Sequence, residues 1–199
     1  MPHILYSYRR CPYAMRARMA LKLADIEVEI REISLRDKPA HMLQVSSKAT
    51  VPVLVLVDGT VIDESIDIML FALKNHALTA NRHEVCSAFI LENDSGFKQA
   101  LDCYKYPERC PAQTQPEYRQ QGEIFLQKLE NLLSKNTYLL HATPCIADIA
   151  IFPFIRQFAA VDSAWFAQSD YPKLRAWLDN WIQSDLFKSI MTKNPTYVG

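Results

Sequence analysis

The sequence predicts an α/β N-terminal half with the element order βαβαββα, followed by an all-helical half. Strand-like and helix-like hydrophobic periods alternate up to about residue 76, which favours short strands joined by helices. Beyond residue 82 strand patterns disappear, and long amphipathic segments replace them. The sequence therefore predicts a first domain at residues 1–76, a polar linker at 77–82 and a helical domain at 83–199.

The element order of the first half follows from its local patterns. HILYS is typical of a short buried strand, and after it Met15, Met19 and Leu23 recur every fourth residue, with Arg18 off that helical stripe. VPVLVLV is a β-branched apolar run, and the Asp-Gly pair that follows it indicates a hairpin turn. The predicted elements are a strand at 3–7, a helix at 12–24, a strand at 28–33, a short helix at 39–45, a hairpin at 51–62 and a helix at 64–73.

The second half contains no strand signal. Its segment IADIAIFPFIRQF is apolar almost throughout, which predicts a helix buried on most sides and bent or loosened at Pro153.

The charge balance and the hydropathy pattern exclude two classes of partner. Lys+Arg and Asp+Glu both number 22, so there is no basic excess to attract nucleic acid or a membrane surface. No window approaches the roughly 18 to 20 consecutive apolar residues of a membrane span, and the N-terminus does not have the pattern of a secretion signal. We therefore expect a cytoplasmic protein.

The cysteine count predicts reduced thiols. An odd set of five without a CxxC pair argues against a disulfide framework and against a zinc site, so we expect no metal. The cysteines are Cys11, Cys86, Cys103, Cys110 and Cys145.

Cys11 lies in RRCPYA, at the predicted start of the first helix. Unsatisfied backbone N–H groups and the positive end of the helix dipole favour a thiolate there. Pro12 fits the first helical position because it has no N–H to leave unpaired. We therefore interpret Cys11 as a nucleophile, although a free cysteine is more often a buried apolar filler. The other four cysteines lack this context and are interpreted as fillers.

Ala14 occupies the position where a two-cysteine redox motif would carry its second thiol. A mixed disulfide on Cys11 would therefore be released by an external thiol. The chemistry requires a small-molecule thiol as co-substrate.

Three other stretches could bind such a thiol. Val51-Pro52 opens an apolar strand, where a cis bond would free the Val51 backbone for an extended peptide, or where Pro52 only starts the strand. Glu64-Ser65 precedes a helix whose N–H groups and Ser65 hydroxyl suit a carboxylate, or form an ordinary N-cap. Lys38, taken alone, is typical of a solvated surface charge.

In this order and spacing, RRCPYA, KP, VPVL and ES followed by an all-helical half resemble the cytosolic glutathione transferases. Specifically, they resemble the cysteine-bearing omega-like group and its glutaredoxin-like relatives. The resemblance implies a thioredoxin-like fold for the first domain and glutathione as co-substrate. It also implies a homodimer, with a monomer as the alternative.

The resemblance implies a role for each matching residue. Cys11 would face the glutathione sulfur, and Val51 would pair its backbone with the cysteinyl part. Glu64 and Ser65 would hold the γ-glutamyl end, and Lys38 would meet the glycyl carboxylate. The residues assigned to glutathione binding are Lys38, Val51, Pro52, Glu64 and Ser65.

A second likeness lies in TPCIADIAIFPFIRQF, which resembles the family segment where a hydroxyl residue and an aspartate cap a buried helix. Asp148 matches the aspartate and is expected to be a structural cap. The hydroxyl position is Cys145, a weak hydrogen-bonding group, so Thr143 is an alternative cap. SSKAT, before VPVL, also departs from the family pattern.

The leading hypothesis is a glutathione-dependent thiol transferase in which the Cys11 thiolate performs monothiol disulfide exchange on a small or protein substrate. A second hypothesis is glutathione conjugation to electrophiles, with Tyr6, Ser7, Tyr8 or Tyr13 bonding the glutathione thiolate. A third is a non-catalytic interaction or regulatory protein that has kept the fold.

Overall fold

A computed structural model describes residues 2–80 and 84–199 and has a four-stranded sheet in its first part. The strand order is β2-β1-β3-β4, with β1 parallel to β2 and β3 antiparallel to both β1 and β4. The strands are β1 (His3–Ser7), β2 (Val28–Glu32), β3 (Val53–Val55) and β4 (Val61–Ile62). This arrangement confirms the predicted order βαβαββα.

Helices connect the strands and make up the rest of the chain. In the first part they are α1 (Pro12–Leu23), α2 (Ala40–Val45) and α3 (Ser65–Ala72). They continue as α4 (Ala77–Ala80), α5 (Glu84–Glu92), a π-helical segment (Asn93–Phe97), α6 (Lys98–Lys105), a 3₁₀ helix (Pro107–Arg109) and α7 (Gln115–Leu133). The last are α8 (Ile146–Ala159), α9 (Ser163–Gln168), α10 (Pro172–Gln183) and α11 (Asp185–Ile190). An all-helical second part is thereby confirmed.

The two faces of the sheet bury different residues because side chains alternate along a strand. Leu5 and Leu54 pack with Ala17 and Leu21 of α1 and Ile68 of α3. On the other face, Tyr6, Val53 and Val55 pack with Ile33 and with Met42 of α2. The hydrophobic core of this part therefore fixes α1 relative to β1 and β3.

The third strand is shorter than the apolar run 51–57 predicts. Val51–Pro52 is a cis peptide bond, and β3 begins only at Val53. Proline has no N–H to offer a neighbouring strand, so pairing starts after it. At the other end, Leu56 donates to Thr60 and accepts from Gly59, which closes the hairpin turn early.

The chain divides into two compact units, Met1–Ala77 with Ser184–Gly199 and Leu78–Gln183. The structure groups residues 184–199 with the first unit, whereas the sequence pattern assigned them to the helical domain. Thr196 pairs with Glu32 of the edge strand β2, and the Tyr197 N–H donates to the Glu32 carbonyl oxygen at 2.7 Å. Residues 81 and 82 of the predicted linker, and residue 83, lie outside the described residues.

The second unit has an aromatic core around α8, all but two of whose residues are buried. The helix continues through Pro153. Phe158 contacts the rings of Phe97, Tyr104 and Trp165, with centroids 4.9 to 6.3 Å apart. Gly122 of α7 lies directly against the Phe158 ring. The absence of a side chain at Gly122 therefore leaves room for the Phe158 ring of α8 beside α7.

We expect Gly122→Ala to destabilise the protein by about 1–3 kcal/mol, although alanine normally favours a helix. An added Cβ would lie 2.9 Å from Phe158 Cζ and closer still to Cε2, and displacing the Phe158 ring would disturb its contacts with the three neighbouring rings. Chemical denaturation measures the change. Gly96→Ala is the matched control, because a Cβ there meets no atom within 4 Å.

The expectation of five reduced cysteines is wrong for two of them. Cys103 and Cys110 form a disulfide, with Cα atoms 5.4 Å apart. The 3₁₀ helix Pro107–Arg109 reverses the chain after α6 and brings the two residues together. Cys11, Cys86 and Cys145 are free thiols.

Candidate active site around Cys11

Cys11 is the N-cap residue of α1, and Pro12 is its first helical residue. The Cys11 carbonyl accepts the first helical hydrogen bond, from the Met15 N–H at 2.9 Å, and the Cys11 N–H donates to the Tyr8 carbonyl at 3.0 Å. The side chain is half-buried. The sulfur therefore lies at the positive end of the helix dipole and is not sealed from solvent.

The Val51 backbone is a partner of the Cys11 thiol. The sulfur lies 3.8 Å from the Val51 carbonyl oxygen, within reach of an S–H donor. Val51 precedes β3, so its backbone takes no part in the sheet ladder. The structure thus brings together Cys11, Val51 and Pro52, although 40 residues separate Cys11 from Val51 in sequence.

The structure places Ser65 inside α3, one residue after the N-cap. Glu64 is the N-cap of α3, and Ser65 is its first helical residue. The buried Ser65 hydroxyl accepts two hydrogen bonds from Arg16 of α1, at 3.1 Å from Nε and 2.9 Å from Nη2. Its own O–H remains available to donate. A buried cation thus lies behind the start of α3, where the sequence predicts a carboxylate site.

Glu64 belongs to a small charged cluster. Its carboxylate is ion-paired with Lys48, which also contacts Asp63 at 3.1 Å. The Ser46 hydroxyl donates to Asp63 at 2.7 Å, and this bond together with Lys48 lowers the pKa of Asp63. Two carboxylates therefore lie beside Ser65, in a region suited to an ammonium group.

Lys38 is half-buried in the connection between β2 and α2, just before Pro39, the N-cap of α2. Among the described residues, no hydrogen bond or ion pair joins Lys38 to Cys11, Val51 or Ser65. Its role in the site stays a prediction.

Two of the four residues proposed to bond the glutathione thiolate in conjugation, Tyr6 and Ser7, have hydroxyls that already bond other side chains. Tyr6 is fully buried, and its hydroxyl contacts His41 Nδ1 at 2.7 Å and accepts from Arg31 at 3.0 Å. Ser7 is also fully buried and accepts from Arg18. Tyr8 and Tyr13 are half-buried.

The burial of the two α1 arginines was not predicted from the sequence. Arg16 and Arg18 are 1% and 3% exposed, although Arg18 lies off the predicted apolar stripe. The helix packs against both α3 and α11, so it has more than one buried face. The sequence spacing could have indicated that Arg18 lies near Cys11, because Arg18 follows Cys11 by seven residues and so shares its face of the helix.

Asp148 organises the start of α8 in the second unit. Its Oδ1 accepts from the Leu139 N–H at 3.0 Å and the Trp177 Nε1–H at 2.9 Å. Its Oδ2 accepts from the Cys145 N–H at 2.9 Å and the Cys145 thiol at 3.2 Å. The N-cap residue of α8 is Cys145, not Thr143.

Burial has the largest effect on the pKa values of Asp148 and Cys145. It raises the pKa of Asp148, and the hydrogen bonds from Leu139, Cys145 and Trp177 oppose that shift. Burial, together with the neighbouring carboxylate of Asp148, also raises the pKa of the Cys145 thiol well above its usual value. Cys145 is therefore an unreactive S–H donor at neutral pH.

Two other kinds of site are absent from the part of the chain that the structure describes. It contains no group of three or more His, Cys, Asp or Glu side chains arranged to hold a metal ion. No helix within residues 2–80 and 84–199 is both long and apolar enough to cross a membrane.

Two family models match the chain and together cover most of it. Residues 5–80 match "Glutathione S-transferase, N-terminal domain", and residues 112–180 match "Glutathione S-transferase, C-terminal domain". The first match contains Cys11, Val51 and Ser65, and the second contains Asp148.

Curated relatives include glutathione S-transferase omega-1 of two rodents. The protein of Rattus norvegicus is 40% identical over 62 residues, which is 31% of this chain and 26% of the rat protein. The protein of Mus musculus is 24% identical over 97% of this chain and 82% of its own length.

Solved structures share the fold over nearly the whole chain. A possible glutathione S-transferase from Rhodopseudomonas palustris has a TM-score of 0.81 at 21% identity, covering 98% of this chain and 100% of its own. A glutathione transferase family member from Pseudomonas fluorescens, with two glutathione bound, has a TM-score of 0.81 at 16% identity, covering 95% and 92%.

Proposed function

Because this chain belongs to the glutathione S-transferase family, we propose that it is a glutathione-dependent thiol transferase in which Cys11 is the nucleophile. The observation that carries the proposal is the position of Cys11, half-buried at the N-cap of α1 and 3.8 Å from the Val51 carbonyl oxygen. A serine or tyrosine at this point would only hydrogen-bond the glutathione sulfur, whereas a thiolate can attack that sulfur when it is part of a disulfide.

The reaction consists of two balanced exchanges. The Cys11 thiolate attacks the glutathionyl sulfur of a mixed disulfide, takes over the glutathionyl group and releases the substrate as a thiolate. A second glutathione thiolate then attacks this new disulfide, regenerates Cys11 and leaves as oxidised glutathione. Ala14 supplies no resolving thiol, which favours this monothiol route.

The remaining site residues hold glutathione in this proposal. Val51 pairs its backbone, which lies outside the sheet ladder, with the cysteinyl part, next to Pro52. The Ser65 hydroxyl donates a hydrogen bond to the γ-glutamyl carboxylate, and the Arg16 cation behind Ser65 favours the bound anion. Glu64 takes the γ-glutamyl ammonium in place of Lys48, and Lys38 meets the glycyl carboxylate.

Placement in the omega-like group is part of the proposal. The 40% identity to rat omega-1 over 62 residues supports it, as does the CP motif at Cys11. The homodimeric state and the cytoplasmic location stay predictions.

The mass of the intact protein after mixing with oxidised glutathione tests the proposal. We expect one added glutathionyl group, which peptide mapping assigns to Cys11. Turnover of a glutathione mixed disulfide should also exceed turnover of a chromogenic electrophile. Turnover of the electrophile alone would indicate conjugation, and a folded protein that does not bind glutathione in calorimetry would indicate an interaction module.

We expect Ser65→Ala to weaken glutathione binding about ten- to a hundredfold, because a hydrogen bond to a charged group contributes about 1.5–3 kcal/mol. Calorimetry with a thioether analogue of glutathione measures this without forming a disulfide. Ser47→Ala, an exposed serine in the same unit, is the matched control and should leave the affinity unchanged. Equal affinities for the native protein and Ser65→Ala would remove Ser65 from the binding site.

A further inference from the structure

Arg18 lies buried beneath the turn that leads into Cys11. Its side chain is 3% exposed, and Nη1 donates to the buried Ser7 hydroxyl at the end of β1. Nη2 donates to the Arg9 carbonyl oxygen at 2.8 Å. One guanidinium therefore joins the last residue of the central strand to the residue two places before Cys11.

The helix geometry directs this guanidinium towards Cys11. Arg18 follows Cys11 by seven residues, which is almost two full turns, so both lie on one face of α1. Long side chains on a helix lean towards its N-terminus. The Arg18 side chain thus runs back along α1 to the turn in which the Cys11 N–H bonds the Tyr8 carbonyl.

The Arg18 guanidinium stays charged in spite of its burial. Burial lowers the pKa of Arg18 to about 10, the charges of Glu32 and Cys11 oppose that shift, and Arg9 adds to it. A pKa of about 10 leaves the group protonated at neutral pH. A buried cation is screened by water and salt much less than an exposed one.

Other charged groups lie on α1 and on the elements packed against it, among them the buried Arg16, whose guanidinium donates to Ser65 of α3. Arg10 is exposed and donates to the Tyr8 hydroxyl at 2.9 Å, so solvent screens it. Glu32 of β2 opposes the positive field, and its Oε1 accepts from the Arg9 N–H at 2.6 Å. The remaining charged residues on α3, on α11 and around the cavity that Arg18 lines are Asp67, Asp185, Lys188, Lys22, Asp25 and Glu27.

We propose that Arg18 is a positioning residue for Cys11, which fixes the preceding turn and supplies the buried positive charge that favours the Cys11 thiolate, with Glu32 as its counter-charge. This inference rests on the proposed function for its purpose, since only a reacting thiol benefits from being ionised. In this proposal, the Arg18 side chain is a source of positive potential at Cys11 in addition to the helix dipole.

The pH profile of Cys11 alkylation by iodoacetamide tests the proposal, with the modified residue identified by peptide mass. We expect Arg18→Met to move the midpoint of the profile upward by about one pH unit, with about tenfold slower alkylation at pH values below both midpoints. Lys22→Met is the matched control, because it removes an exposed cation from the same helix one turn further from Cys11. Its midpoint should equal that of the native protein.

Glu32→Gln provides a second variant that keeps a carbonyl acceptor for the Arg9 N–H while removing the counter-charge. We expect its midpoint to move downward, opposite to Arg18→Met, which a purely structural role of the network does not predict. An unshifted midpoint in folded Arg18→Met, or in Glu32→Gln, would overturn the proposal. Alkylation requires neither glutathione nor a disulfide substrate, so this result is independent of whether glutathione adds to Cys11.

Discussion

Replacing Cys11 with serine is expected to lower the rate of glutathione mixed-disulfide reduction at least about a thousandfold. A serine hydroxyl is not ionised at neutral pH and cannot form a disulfide. A coupled assay that follows oxidised glutathione measures the loss. The same variant should show no added glutathionyl mass after exposure to oxidised glutathione.

No other described thiol is placed to replace Cys11. Cys86 and Cys145 are buried, and burial together with Asp148 keeps the Cys145 thiol protonated. Cys103 and Cys110 are joined in a disulfide. Cys86→Ala is therefore the control, and it should retain near-native turnover. Undiminished reduction of the mixed disulfide by Cys11→Ser would refute the proposed mechanism.

The second large effect is on stability, where we expect Asp148→Ala to lower the free energy of unfolding by about 3–5 kcal/mol. The substitution leaves three buried N–H donors without an acceptor, those of Leu139, Cys145 and the Trp177 indole. Each buried donor left unpaired costs about 1–3 kcal/mol. Chemical denaturation followed by tryptophan fluorescence and by circular dichroism measures the loss.

Asp179→Ala is the matched control for this experiment. Asp179 is an exposed acidic residue on α10, the helix that also carries Trp177. Its removal should change stability by no more than about 0.5 kcal/mol. Similar denaturation midpoints for the two variants would show that the Asp148 hydrogen bonds do not hold α8 to its neighbours.

The fold of the first unit was predictable because each of its elements has a distinct local sequence pattern. The apolar run of β1, the Asp-Gly turn after β3 and the stripe of α1 each specify one element, and their order leaves few topologies. Cys11 could be placed at the start of α1 because Pro12 marks a first helical position. These are short-range effects, which a sequence contains directly.

The partners of Arg16 and Arg18 could not be predicted in the same way. Charged residues on a helix are usually solvated, so a surface position is the default expectation for both. Their burial depends on tertiary contacts, since Ser65 is 49 residues from Arg16 and Ser7 is 11 from Arg18. Local hydrophobic periods do not report contacts of this kind.

The disulfide and the course of residues 184–199 were missed for related reasons. Joining Cys103 to Cys110 requires the chain reversal at Pro107–Arg109, whose geometry the cysteine count does not contain. The return of the last helix to the first unit depends on α11 packing against α1. Nothing in the amphipathic pattern of a helix identifies which unit it will contact.

The pairing of residues 196 and 197 with Glu32 has a consequence for self-association. Strand β2 forms one border of the sheet, and an uncovered border offers free backbone groups to a strand from another molecule. Proteolytic removal of the last few residues would expose that border at the position of Glu32. The trimmed protein would then be prone to form aggregates by strand addition, even with every catalytic group intact.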